Sequence, residues 1–138
     1  MKIEVKIVKT ADIPQLIALY KDAGWWKEEN DGVDPNFIQK IIEGSFCFAV
    51  AVKNEKIIGM GRSISDGVSD AYIQDVVVLK ELRGNKIGVM IMEEIIKYLK
   101  SNNITWIGLI AEPGAVSFYD RFGFSRMKDY VPFLLKDE

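Results

Sequence analysis

Histidine is absent from this 138-residue chain. That excludes Ser–His–Asp and Cys–His catalysis and removes the commonest metal ligand. A single cysteine, Cys47, cannot close an internal disulfide. With no histidine beside it, no metal site is expected. No apolar run approaches the ~18 residues of a membrane-spanning helix. The start lacks the charged, apolar and cleavage regions of an export leader. Neither charge sign is in surplus: 18 Lys and Arg against 20 Asp and Glu leave a formal net charge of −2. No nucleic-acid partner and no membrane are therefore expected. The cytoplasm is the expected compartment. Repeats, low-complexity tracts and linkers are also missing, so residues 1–138 read as one domain.

What is present is an ordinary globular composition, 49% apolar and 28% charged, able to bury a core without a staple. Chemistry in such a chain must run on carboxylates, tyrosine, lysine, backbone amides or a bound cofactor. Ile3, Val5 and Ile7 alternate as in a strand. Thr10 or Asp12 can cap a helix with Pro14 in its first turn and Ile13, Leu16, Ile17 and Tyr20 as its stripe. "GWWKEENDGVDP" reads as a loop, followed by a short helix with Phe37, Ile38, Ile41 and Ile42 inward and Gly44 at its end. "FCFAVAVK" and "KIIGMGRSIS" form a hairpin across Asn54 and Glu55. "AYIQDVVVL" is a third strand, residues 86–100 a helix, "TWIGLIA" a strand, "PGAVSFYDRFGF" a short helix closed by Gly123, and "RMKDYVPFLLK" one or two last strands. The fold class is α/β or α+β: a mixed central β-sheet of about six to seven strands flanked by about four helices.

Arg83 to Gly88, "RGNKIG", join the valine strand to the long helix. Unpaired amides and the macrodipole make a helix start attractive to anions, and glycine lets them approach. Arg83 and Lys86 add positive charge. The stretch suits a pyrophosphate, although it is neither a Walker A loop nor a GxGxxG fingerprint. An ordinary strand-to-helix turn would also use Gly84.

Two motifs carry a family resemblance. Val78, Arg83 and Gly88 match V-x-x-x-x-[RQ]-x-x-G-x-[GA], with Lys86 where the pattern has glycine. Ala115 to Phe124, "AVSFYDRFGF", match A-x-x-[FL]-Y-x-x-x-G-F. With the element order, they make the chain resemble the GCN5-related N-acetyltransferases (the GNAT family). "IQDVVV…RGNKIG" is also similar to the glucosamine-6-phosphate acetyltransferase branch, which has an acidic residue in that strand and no glycine at the Lys86 position.

The resemblance implies an acyl-CoA N-acyltransferase fold and acetyl-CoA as co-substrate, bound by Val76, Val77, Val78, Arg83, Gly84, Asn85, Lys86, Ile87 and Gly88. Glu112 stands where the family often has an asparagine that touches pantetheine. A backbone amide of Val76 to Val78 would steady the oxyanion. Tyr119 would be the general acid toward the thiolate, or else an aromatic packed on its helix. Asp75, a carboxylate in an apolar strand, is the first candidate base, made stronger by burial; the other reading pairs it with Arg62 or Lys80 or makes it a loop cap. Glu112 is the second candidate. Trp25, Trp26, Glu28 and Glu29 lie where the family often builds its acceptor pocket, although paired tryptophans also plug core edges. Cys47 reads as core. The expected activity is N-acetylation of a small-molecule primary amine, by direct attack in a ternary complex, with a homodimer as the assembly. The alternatives are an amino-sugar acetyltransferase and a CoA-binding sensor without turnover.

Overall fold

Alternation along β3, Lys56–Ser65, explains how the sheet is covered, because neighbouring residues of a strand face opposite sides. Met60 joins Phe48, Val50, Ile57 and Val77 in a core with Leu16, Leu19, Tyr20, Trp26, Ile38 and Ile42. These come from α1, Ile13–Asp22, from the loop after it, and from α2, Asn36–Gly44. Gly59 and Gly61, on the other face, meet Ile91 and Ile95 of α3, Ile87–Ser101. A Cβ on Gly61 would lie 2.9 Å from both isoleucines. Buried Ala49, Ala51 and Ala71 continue this small-residue surface, so α3 packs close to the strands.

The computed structural model describes residues 2–27, 34 and 36–136. The chain divides into two compact units, Met1–Gly108 and Leu109–Glu138. Among the described residues the sheet has five strands in the order β1-β2-β3-β4-β5. They are β1, Glu4–Ile7, β2, Cys47–Lys53, β3, β4, Asp70–Val78, and β5, Trp106–Leu109. The first three pairings are antiparallel. β5 starts where β4 starts, its Trp106 amide donating to Ser69 O at 3.2 Å. The two strands therefore run parallel, and α3 is the crossover between them.

Local chemistry accounts for the boundaries. Asp12 caps α1 by accepting from the Gln15 amide at 3.1 Å. Asn54 and Glu55 both have positive φ, 51° and 64°, as a two-residue hairpin requires. One expectation for α2 fails: Phe37 is 48% exposed and only tilts against Trp26, 6.5 Å between centroids.

In the second unit α4, Val116–Asp120, carries an aromatic cluster. Phe118 meets Tyr119 at 5.0 Å and Phe122 at 5.3 Å, and Tyr119 meets Phe124 at 6.4 Å. The one or two strands expected in "RMKDYVPFLLK" are not formed among the described residues 125–136, so the sheet has five strands rather than six or seven. A strand exists only by pairing. These residues have no partner strand, and Pro132 lacks an amide to offer one.

Candidate functional site

β4 is interrupted at the residues that the sequence singled out. Met60 pairs with Val77 and Arg62 with Gln74, so Asp75 and Val76 together oppose the single residue Gly61. This is a β-bulge, which leaves a residue outside the ladder and bends the strand. Asp75 accommodates it at φ 57°, in the left-handed region. Val77 is buried, whereas Val76 and Val78 are half-buried, so the valine run is not sealed on both faces throughout.

Below the bulge the strand turns through a single 3₁₀ turn, Lys80–Leu82. Asp22 at the end of α1 accepts from the Lys80 amide at 2.8 Å and holds that turn. Residues 83–86 are exposed. Gly84 has φ 88°, and a Cβ built on it meets nothing within 4 Å, so its backbone stands open to a ligand. Lys86, the N-cap of α3, has φ 61° and makes no side-chain cap. That is a glycine conformation, which explains physically why the motif pattern has glycine there. Met90, donating to Lys86 O at 3.1 Å, makes the first i to i−4 bond of α3. The amides before it have the geometry of an anion site backed by a fifteen-residue helix dipole.

The expected burial of Asp75 is corrected by the structure. Its side chain is 33% exposed and pairs with Arg62, Nε to Oδ2 at 2.6 Å. Arg62 also reaches Ser45 Oγ at 3.4 Å and Gln74 Oε1 at 3.5 Å, while the buried Ser45 hydroxyl donates to Ile41 O at 2.6 Å. Tyr20 sits in the field of this pair. Burial first, then the Asp75 charge, push its phenol up to about 12, with Arg62 acting against them. Trp25 stands edge-on to Tyr20, 5.6 Å between centroids, and is 37% exposed. Trp26 is 7% exposed and belongs to the core. Glu28 and Glu29 lie outside the described residues.

In the second unit Tyr119 is half-buried. Burial first, then the nearby Glu112 carboxylate, raise its phenol. Glu112 itself is exposed. Cys47 is buried as expected, its thiol pushed up to about 12 chiefly by that burial. Among the described residues no cluster of Asp, Glu or Cys could hold a metal ion, and no helix is long and apolar enough to cross a membrane.

The strand-to-helix turn is the arrangement that the first sequence motif leads one to expect, the bulge before it is not, and comparison with known proteins decides the family. The model of the acetyltransferase (GNAT) family matches residues 13–124. The chain belongs to the GNAT family. The uncharacterized N-acetyltransferase ycf52 of Porphyra purpurea is 31% identical to this GNAT chain across 94% of the chain and 77% of the relative. The ycf52 proteins of Pyropia yezoensis and Gracilaria tenuistipitata var. liui are matched over only 45% and 43% of their length. Serotonin N-acetyltransferase 2 of rice, named as chloroplastic, is 34% identical over 54% of the chain and 37% of its own length. A probable acetyltransferase of methicillin-resistant Staphylococcus aureus superposes with TM-score 0.81 at 27% identity, covering 99% of this chain and all of its own. Glucosamine-6-phosphate N-acetyltransferase of Arabidopsis thaliana shares the fold at TM-score 0.74 and 17% identity, over 99% of this chain and all of its own.

Tyr20 and Ser45 had not been singled out for the site. Tyr20 reads as one more apolar member of the α1 stripe, and nothing in the sequence sets it beside the bulge. The pairing of Asp75 with Arg62, the other reading of that carboxylate from the sequence, is the one that is formed.

Proposed function

We propose that this N-acetyltransferase moves the acetyl group of acetyl-CoA to a primary amine of a small molecule, by direct attack within a ternary complex. The observation that carries this is the bulge at Asp75 and Val76 followed by the open turn from Arg83 to Gly88. The bulge frees backbone to face a thioester carbonyl, and the turn offers amides and two cations to a pyrophosphate. Val76, Val77, Val78, Arg83, Gly84, Asn85, Lys86, Ile87 and Gly88 would hold the co-substrate, with Glu112 toward pantetheine. The amine nitrogen bonds to the carbonyl carbon as the C–S bond breaks. Its surplus proton passes to Asp75, directly or through water, and the departing thiolate takes a proton from Tyr119. The family motif supports this role for Tyr119. Trp25, followed in the sequence by the buried Trp26, is the proposed acceptor wall; Glu29, the third residue proposed for it, lies outside the described residues.

The cytoplasm is the proposed compartment and a homodimer the proposed assembly. Rice serotonin N-acetyltransferase 2 supports an amine on an aromatic body. Likeness to the glucosamine-6-phosphate enzyme is one of fold alone. Free-thiol release from acetyl-CoA across a panel of primary amines tests the proposal. Amine-dependent release that falls in Asp75→Asn at unchanged CoA affinity supports it; CoA binding with no release for any amine leaves a sensor.

A further inference from the structure

Tyr20 is 6% exposed, and its hydroxyl is buried without a hydrogen-bond partner among the described residues. A phenylalanine would fill the same space without stranding a polar atom. Tyr20 packs in one buried cluster with Met60 and Val77, which pair across the strands next to the bulge, and there Asp75 is held in a left-handed conformation that is costly for a residue with a side chain. Two unfavourable features therefore meet at one place, a pattern typical of functional sites. Asp75 gives one oxygen, Oδ2, to Arg62, and its Oδ1 makes no hydrogen bond among the described residues. A buried hydroxyl without a partner thus lies near a carboxylate that water still reaches.

Building on the proposed amine acetylation, we infer that Tyr20 is a positioning residue for Asp75: its hydroxyl donates to the carboxylate when an acceptor's ammonium draws Asp75 away from Arg62. An ammonium competes with the guanidinium for the same anion, and a carboxylate shared between two cations needs a third contact to fix its direction. A neutral buried phenol supplies one without adding charge. The edge-on ring of Trp25 extends the aromatic surface of Tyr20 toward solvent, which fits an ammonium on an apolar or aromatic body.

Tyr20→Phe, Asp75→Asn and the double variant test this as complexes with CoA, titrated calorimetrically with 2-phenylethylamine, butylamine and glucosamine 6-phosphate. Tyr20→Phe is expected to melt no lower than wild type and to keep its CoA affinity. It should bind the best of these amines about 10-fold more weakly, the scale of one hydrogen bond to a charged group. In the Asp75→Asn background the same change should add less than about 2-fold, since a residue acting through Asp75 is not additive with it. Unchanged amine affinity in Tyr20→Phe, or full additivity in the double variant, overturns the inference. A wild-type protein that binds amine yet releases no thiol from acetyl-CoA refutes the catalytic proposal and leaves this one standing. A wild-type CoA complex with no affinity for any of the three amines overturns it.

Discussion

A phenol carries its proton through the neutral range, and burial first, then the Glu112 charge, raise that of Tyr119 further. An acid that stays protonated through the neutral range can serve a leaving thiolate. Tyr119→Phe removes only the hydroxyl, so kcat is expected to fall by roughly 10²–10⁴ with CoA affinity kept. A wild-type kcat in the folded variant would return Tyr119 to a packing role against Phe118 and Phe124. Cys47 and Tyr20 give a second prediction, on stability. Burial raises the thiol from 9.0 and the phenol from 10.0, each to about 12. The unfolded chain therefore surrenders both protons first, and folded stability, fully present below pH 9, declines as pH rises toward 12. Melting temperatures between pH 7 and 11 should be level to about pH 9 and fall beyond it. Cys47→Ala should delay the fall to the range where the phenol titrates; a curve that is level to pH 11 contradicts the burial described. At this scale the sequence was a partial guide. It showed that Asp75 was unusual, since a carboxylate among valines needs a reason, but not its φ of 57° or its one-third exposure.

Elements were more legible than residues where the signals were local. The helix expected over 86–100 is α3, Ile87–Ser101, and the Asn54–Glu55 hairpin formed in register, Lys53 against Lys56. Both follow from periodicity and turn chemistry within a few residues. The bulge of β4 was not legible, because its register depends on pairing with β3, which no single segment encodes. The final strands failed for the same reason: apolar residues announce the wish to be buried, not the partner. The turn between β4 and α3 carries its own test. Lys86 holds a conformation natural to glycine, so Lys86→Gly should raise stability by about 0.5–1 kcal/mol in denaturant titration and leave CoA affinity within about 3-fold, because the amides remain. Gly88→Glu should weaken CoA about 10-fold or more by adding a negative charge at the helix start. Equal CoA affinity in the folded Gly88→Glu variant would dissociate the turn from the pyrophosphate.

For the molecule as a whole, the second unit leaves Tyr130, Val131, Phe133, Leu134 and Leu135 between 67% and 98% exposed. A run of that character suits association, which is in keeping with the proposed homodimer. Sedimentation should find a dimer in wild type that loosens in Phe133→Ser/Leu135→Ser; a monomer at micromolar concentration contradicts the assembly. In this GNAT chain the turn from Arg83 to Gly88, beside the bulged strand, is proposed to hold the pyrophosphate of acetyl-CoA. The most direct test follows backbone amide resonances during a CoA titration. The amides of Gly84 to Gly88 and of Val76 to Val78 should shift the most and saturate together, while those of the hairpin at Asn54 and Glu55 stay in place. A titration that saturates with residues 84–88 unmoved would contradict it.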